Sequence, residues 1–258
     1  MTVHFIGAGP GAADLLTLRA VRLLQESPIC LYAGTYIDDE VLSHCGPETE
    51  LIDTAYLDLD AITATVVAAH DAGHDVARLC SGDPSIYSAI AEQTRRLDAA
   101  GVPWDLTPGV PAYAATAALI GRELTVPEVA QSVVLTRAQK DSTKMPPGET
   151  LAAFAATNAT LVLHLAIRHT RRLADELSAH YGANCPVVVG SQVTQPEELI
   201  LRGTLADIAD QVEAAGLTQA AVIIVGWALS AEGFVESHLY SSRPPRPAGE
   251  GRPDASLV

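Results

Sequence analysis

Positive charge is scarce in this chain: 16 Lys and Arg stand against 31 Asp and Glu, a formal net charge of −15. Only Lys140 and Lys144 are lysines, and no Lys or Arg occurs between Arg22 and Arg78. Nucleic-acid partners are held by clustered cations that neutralise phosphates. No nucleic-acid partner is therefore expected, despite a local cationic patch such as Arg168, Arg171 and Arg172. Cysteine is sparse too. Cys30, Cys45, Cys80 and Cys185 show no C-x-x-C spacing, which reads as thiols in a reducing compartment rather than a disulfide framework. No segment reaches about 18 uninterrupted apolar residues, and "MTVHFIGAGPG" lacks the basic and apolar regions of a signal peptide. The expectation is a cytoplasmic protein with no membrane association. His70 and His74 are spaced i, i+4, but Gly73 interrupts them and no third ligand is evident, so no metal is expected. Nothing suggests a Ser-His-Asp triad.

The chain does have core-forming material. Of its 258 residues 48% are hydrophobic and 18% charged, and a chain this long buries roughly 70 to 75% of its unfolded surface. Strand-length apolar runs alternate with helix-period segments: "VHFIGA", Asp14 to Glu26, "PICLYA", Asp39 to Cys45, "ELIDT", Leu57 to Ala72, "VARLCSG", Ile86 to Ala100 and "WDLTPG". Such alternation predicts an α/β fold with parallel strands covered by helices. Asp58 or Asp60 is placed to cap one helix, Gly101 to end another, and Pro84 occupies a helix-start position. From "SVVLTRA" onward a second set runs through "TLVLHLA", His169 to His180, "PVVVGSQV", "EELILRGTL", Ala206 to Ala215 and "AAVIIVGWAL". Two of its strands are separated only by a turn at Thr194 to Pro196, which predicts an antiparallel pair and a mixed second sheet. The expected division is an N-terminal α/β domain over 1–122, a C-terminal α/β domain over 123–240, and a flexible Pro/Gly-rich tail over 241–258. The polar stretch Ala138 to Glu149 reads as a mobile loop.

Three strand ends carry glycine or proline turns. The first, Gly7-Ala8-Gly9-Pro10-Gly11, resembles a dinucleotide loop but lacks the third glycine of G-x-G-x-x-G, and the second strand ends in Ala33-Gly34 where an acidic residue should meet the ribose. The second is Ser81-Gly82-Asp83-Pro84 and the third Pro108-Gly109. No Lys or Arg sits in any of them, so a pocket built from these turns suits a neutral or cationic ligand centre better than a polyphosphate.

The stretches "GAGPGAADLLTLRA", "LYAGTYIDDEVL", "LCSGDPSIYSAIAEQ", "PGVPAYAATAALIGRELTVPEVAQSVVLTR" and "ESHLY" together resemble the tetrapyrrole methylases of the class III S-adenosylmethionine-dependent kind. The similarity runs from residue 3 to about 240. "GDPSIY" and "ELTVPEVAQSVVLTR" point within it to the subgroup that methylates carbon 11 of precorrin-4 in cobalamin biosynthesis. Cobalt-precorrin-4, uroporphyrinogen III or a non-catalytic tetrapyrrole-binding role are the alternatives. The resemblance implies two α/β domains with the active site in the cleft between them, a homodimer, and S-adenosylmethionine held largely by backbone. By position, the cofactor contacts it implies are Pro10, Ser81, Gly82, Asp83, Ile86, Pro111, Ala112, Leu165, Thr194 and Ala221. Asp83 is the residue expected to have a side-chain role, either on the cofactor or in orienting its loop. Tyr87, Tyr113, Arg122, Arg137 and Lys140 are the substrate-binding candidates, with Arg168 and His169 beside them. Ala12 departs from the family pattern, which often has Asp after "GPG", so no catalytic role carries over to that position.

Overall fold

The computed structural model describes residues 1–138 and 144–236. Lys140, the tail over 241–258 and part of the Ala138 to Glu149 loop lie outside the described residues. The first half runs β1 (Val3–Gly7), α1 (Leu18–Glu26), β2 (Ile29–Tyr32), α2 (Asp39–Leu42), β3 (Glu50–Asp53), α3 (Leu59–Asp71), β4 (Val76–Cys80), α4 (Ile90–Ala100) and β5 (Trp104–Thr107). Its five strands are all parallel, in the order β3-β2-β4-β1-β5. Alternation along each strand divides the core between two faces. Ile6, Cys30, Ala77 and Leu79 pack with Ala20 and Leu24 of α1, while Phe5, Leu31, Val76 and Cys80 pack with Val66 of α3 and Leu97 of α4.

This strand order creates a switch point. The connection leaving β1 travels toward β2 on one side, and that leaving neighbouring β4 travels toward β5 on the other, so a crevice opens beyond their C-terminal ends.

α5 (Ala112–Ile120) follows, then β6 (Val133–Arg137), α6 (Leu151–Ala155), β7 (Thr160–His164), α7 (Thr170–Tyr181), β8 (Pro186–Ser191), β9 (Leu199–Thr204), α8 (Ile208–Ala214) and β10 (Ala221–Val225). The second sheet has the order β6-β7-β10-β8-β9. Only β6 and β7 are parallel; β10 pairs antiparallel with β7 and β8, and β8 with β9. The fold class is thus the expected one, a parallel sheet followed by a mixed sheet. α5 falls inside the expected segment 1–122, yet its Ile120, Ala117 and Tyr113 pack against Val162, Val188 and Ile224 of the second sheet.

Helix boundaries follow local chemistry. Asp58 caps α3 by accepting from Ala61 N–H at 2.8 Å, and Gly101 ends α4 at φ 70°. Two expectations are corrected. The segment Asp14 to Glu26 is not one helix: a 3-10 turn at Ala13–Leu15 is followed by extended Leu16 and Thr17, and Thr17 Oγ1 caps α1 by accepting from Ala20 N–H at 3.1 Å. The helix expected from Pro84 or Ile86 starts only at Ile90, because Tyr87 and Ala89 adopt φ 55° and 52°, left-handed conformations that an α-helix cannot contain.

Candidate active site

At the switch point the first two turns lock together. Gly9 and Gly82 form an isolated antiparallel bridge, with Gly82 N–H donating to Gly9 O at 2.7 Å and Gly9 N–H to Gly82 O at 3.2 Å. The third turn joins them by close packing. A Cβ on Gly7 would sit 2.6 Å from Gly109 Cα, and one on Gly109 would sit 2.8 Å from the Gly7 carbonyl carbon and closer still to Gly82 O. Only glycine permits backbone to approach backbone this tightly.

Asp83 ties the second turn to the third by its side chain. Oδ1 accepts from the N–H of Ser85 at 2.8 Å and from the Ser85 hydroxyl, while Oδ2 accepts from Gly109 N–H at 2.9 Å. Burial opposes ionisation of this carboxyl, but the donors from Ser85 and Gly109 outweigh it and hold its pKa below the ordinary carboxylate value. Its oxygens are engaged in orienting the loop.

The first loop also reaches the second half of the chain. Ala12 N–H donates to Thr194 Oγ1 at 2.9 Å, and Gln195 Nε2 donates to Pro10 O at 3.1 Å. Gly11 leaves room for Gln195: its Cβ would fall 3.1 Å from Gln195 Nε2 and nearer to Cγ. The glycine turn that opens the chain therefore meets the β8–β9 connection, with its backbone groups answering side chains of the other half.

Between the halves lies a cavity of about 640 Å³. Of the cofactor contacts expected by position, Pro10, Ser81, Gly82, Asp83, Ile86, Pro111, Ala112, Leu165 and Ala221 all line it. Thr194 does not; its hydroxyl is held at Ala12, while its neighbours Gln192, Val193 and Gln195 are in the wall. Tyr87 is in the wall, whereas Tyr113 packs behind it, and both rings contact His164 at centroid distances of 5.3 and 6.4 Å. Arg122 donates to Ala231 O at 3.4 Å and is not part of the wall. Arg137 also lies outside the wall, but its charge favours ionisation of the Tyr87 phenol, against burial, which pushes the pKa up. Arg168 and His169 line the cavity, Arg168 Nε donating to Thr218 O at 2.8 Å. Arg171 and Arg172, by contrast, pair with Glu213 at 2.7 Å and Glu176 at 3.3 Å.

Sequence reasoning missed Arg78, His164, Gln192 and Ala220 in the wall. Backbone strain marks the site independently. The non-glycine residues with positive φ among those described are Tyr87, Ala89, Glu128, Asn158, Leu165, Gln192, Thr194 and Ala220; Tyr87, Ala89, Leu165, Gln192 and Ala220 line the cavity. Such conformations each cost on the order of 1 to 3 kcal/mol and cluster at ligand clamps. His164 is a second marker: its buried Nε2 has no hydrogen-bond partner, and burial holds its pKa below the ordinary histidine value.

The wall suits a cofactor with a cationic centre and a neutral frame. It offers backbone from three turns, exposed Leu165 at 55% relative accessibility, and no cation within the turns themselves. Among the described residues no group of three or more His, Cys, Asp or Glu converges as a metal site would need.

The model of the tetrapyrrole (corrin/porphyrin) methylases matches residues 2–209. A precorrin-4 C(11)-methyltransferase of Rhodococcus erythropolis is 56% identical over 242 residues, 94% of this chain and 97% of that protein. The X-ray structure of a cobalt precorrin-4 methyltransferase superposes with a TM-score of 0.86 at 35% identity, covering 89% of this chain and 96% of the other. A uroporphyrin-III C-methyltransferase from Thermus thermophilus, solved with S-adenosylhomocysteine, superposes with a TM-score of 0.74 at 26% identity over 89% and 94% of the two chains. By sequence and by fold, the chain belongs to the tetrapyrrole (corrin/porphyrin) methylases.

Proposed function

We propose that this protein is an S-adenosylmethionine-dependent methyltransferase that methylates carbon 11 of precorrin-4, giving precorrin-5 in cobalamin biosynthesis. The observation that carries the reading is the cavity at the switch point, walled by the Gly9–Gly82 bridge and the Gly109 turn, in a chain 56% identical to a precorrin-4 C(11)-methyltransferase. Identity to the structurally known cobalt precorrin-4 enzyme is lower, 35%, which favours the metal-free substrate.

S-adenosylmethionine supplies an electrophilic methyl group whose departure leaves a neutral thioether, so no general acid is needed. The chain's own part is positioning. Backbone of Gly82, Pro111 and Ala221 and the apolar side chains of Ile86 and Leu165 hold the cofactor. Asp83 fixes the loop that presents Ser81 and Gly82. Holding donor and acceptor carbons at near-attack distance in a site emptied of water accounts for a large share of the acceleration in such reactions, and it explains a wall rich in glycine, proline and carbonyls. Tyr87, in the wall, and Tyr113, which shares the His164 ring with it, are assigned to the macrocycle side. On this reading segments 1–122 and 123–240 are two domains, α5 reaching from the first onto the second sheet. The four free cysteines fit a reducing compartment and support the reading of a cytoplasmic enzyme, which on the family resemblance is a homodimer and on its charge has no nucleic-acid partner. Among the described residues no helix is long and apolar enough to cross a membrane.

The test is calorimetric titration with S-adenosylhomocysteine, with NAD as control, followed by mass spectrometry of precorrin-4 incubated with protein and S-adenosylmethionine. Micromolar binding of the former alone and a product heavier by one methyl substitution are expected. Binding of NAD alone would return the glycine turn to the dinucleotide class, binding of S-adenosylhomocysteine without turnover of precorrin-4 would point to another tetrapyrrole as substrate, and binding of neither would leave a non-catalytic tetrapyrrole-binding protein.

A further inference from the structure

Among the described residues no carboxylate neutralises Arg78, a cation in an acidic protein. It lies in the middle of β4, partly buried, on the sheet face covered by α3 and α4, and it lines the cavity. Its Nε donates to Gln93 Oε1 at 3.3 Å and its Nη1 to Thr54 Oγ1 at 3.1 Å. A guanidinium carries five N–H donors, so about three remain uncommitted. Burial pulls its pKa below the ordinary arginine value, opposed by the potential thiolates of Cys80 and Cys30. Arginine is nevertheless charged in a folded protein at any physiological pH. Removing such a charge from water without an anionic partner is costly.

The surroundings fix the guanidinium in place. Thr54 Oγ1 donates onward to Tyr32 O at 2.9 Å, and Gln93 Nε2 donates to Ala89 O at 3.3 Å. Both neutral acceptors are thus anchored on backbone, so the remaining edge of the fork is pre-oriented. The one acidic wall residue nearby, Asp83, has its oxygens committed to Ser85 and Gly109. With 31 acidic residues against 16 basic ones, a purely structural arginine here would have had carboxylates to choose from. Tyr36 and Ile37, from the connection after β2, line the same cavity. None of the cofactor contacts assigned above comes from that connection.

We infer that Arg78 is the anchor for a carboxylate side chain of the tetrapyrrole, gripping it with the free edge of its fork and fixing the ring's placement over the methyl donor. The inference rests on the methylation reading above. A net charge of −15 repels a polycarboxylate substrate at long range, so a local, pre-oriented cation is what would both admit it and set its register. The rival within the same site is the single carboxylate of the cofactor's methionine part.

The experiment compares wild type, R78Q and R78K in steady-state turnover of precorrin-4, in titration with S-adenosylhomocysteine, and in thermal unfolding. Expected for R78Q is a KM for precorrin-4 raised roughly 10- to 100-fold, the scale of losing a charge-assisted hydrogen-bond pair. Affinity for S-adenosylhomocysteine should stay within about twofold, and R78K should fall between the two proteins because it keeps the charge but not the fork. A parallel loss of S-adenosylhomocysteine affinity would overturn the assignment in favour of the cofactor carboxylate. A lowered melting temperature with wild-type KM would reduce Arg78 to a scaffold cation. If R78Q does not fold, R78K decides: a KM raised by about threefold or more supports the anchor, and an unchanged KM overturns it. Absence of product from wild type itself would instead remove the methylation reading.

Discussion

Asp83 lies where the carry-over of family contacts put it, and its geometry narrows what it does. Both oxygens are engaged, by Ser85 and by Gly109 N–H, so its contribution to binding is to hold the Ser81–Gly82 backbone rather than to touch the reacting atoms. D83A is expected to weaken S-adenosylhomocysteine binding about tenfold, the scale of hydrogen bonds to a charged group, with the fold retained; wild-type affinity in calorimetry would contradict this. The pH dependence follows from the sign of its shift. A carboxyl whose folded pKa is depressed contributes stability present above the unfolded value and lost only as pH falls through the folded one. Affinity should therefore carry no step from Asp83 between about pH 5 and 8. His164 shifts with the same sign but acts nearer neutrality. Burial depresses its folded pKa from 6.5, so the unfolded chain takes up a proton that the native chain refuses, and stability is lost as pH falls through about 6.5. H164F removes that loss. The difference in melting temperature between the two proteins should shift in favour of H164F as pH is lowered from about 8 to 5, and parallel curves would disprove it.

At the scale of elements, two glycines separate local conformation from close approach. Gly101 ends α4 at φ 70° with nothing within 4 Å of where a Cβ would stand, so G101A should cost about 1 kcal/mol through backbone strain alone. Gly109 has ordinary φ, but its Cβ would drive into Gly82 O and the Gly7 backbone. G109A should cost about 1 to 3 kcal/mol and, unlike G101A, abolish tight S-adenosylhomocysteine binding. Urea unfolding and calorimetry on both variants check the contrast; equal binding would mean that the three turns can separate without harm. The same elements show what was legible beforehand. The parallel-then-mixed order of strands and the β8–β9 pair could be read from apolar alternation and from the short turn, because burial on one or both faces writes itself into residue type. The start of α4 could not, because Tyr87 and Ala89 are left-handed through tertiary constraint and carry no glycine to announce it. Pro84 pointed to the wrong start: the side chain of Asp83 bonds to Ser85 and makes a turn there instead. In the site, glycine and proline turns were visible as letters. Arg78, His164 and Gln192 were not, since a strand arginine or histidine looks the same in sequence whether it faces solvent or a cavity.

At the scale of the whole molecule, the two α/β layers are joined by α5 packed on the second sheet and by the contact between the first loop and the β8–β9 connection. Ala12 N–H to Thr194 Oγ1, at 2.9 Å, and Gln195 Nε2 to Pro10 O, at 3.1 Å, join positions some 180 residues apart in sequence. Neither bond belongs to a sheet ladder or a hydrophobic core, so their loss should leave both layers intact. They do set the width of the cavity, because Pro10 and Gln195 stand in its wall. Two neutral hydrogen bonds contribute net only about 1 to 3 kcal/mol, and part of that is recovered by water in an opened cleft. The double variant T194V/Q195A is therefore expected to lose only a few degrees of melting temperature, in keeping with a small loss of stability spread over about 250 residues. Its affinity for S-adenosylhomocysteine should fall by about tenfold or more, because a cofactor gripped from both sides must then close the cleft at its own cost. Unchanged affinity with a large drop in melting temperature would assign the clasp to folding alone. Unchanged values of both would mean that α5, packed on the second sheet through Ile120 and Ala117, holds the halves in register without it.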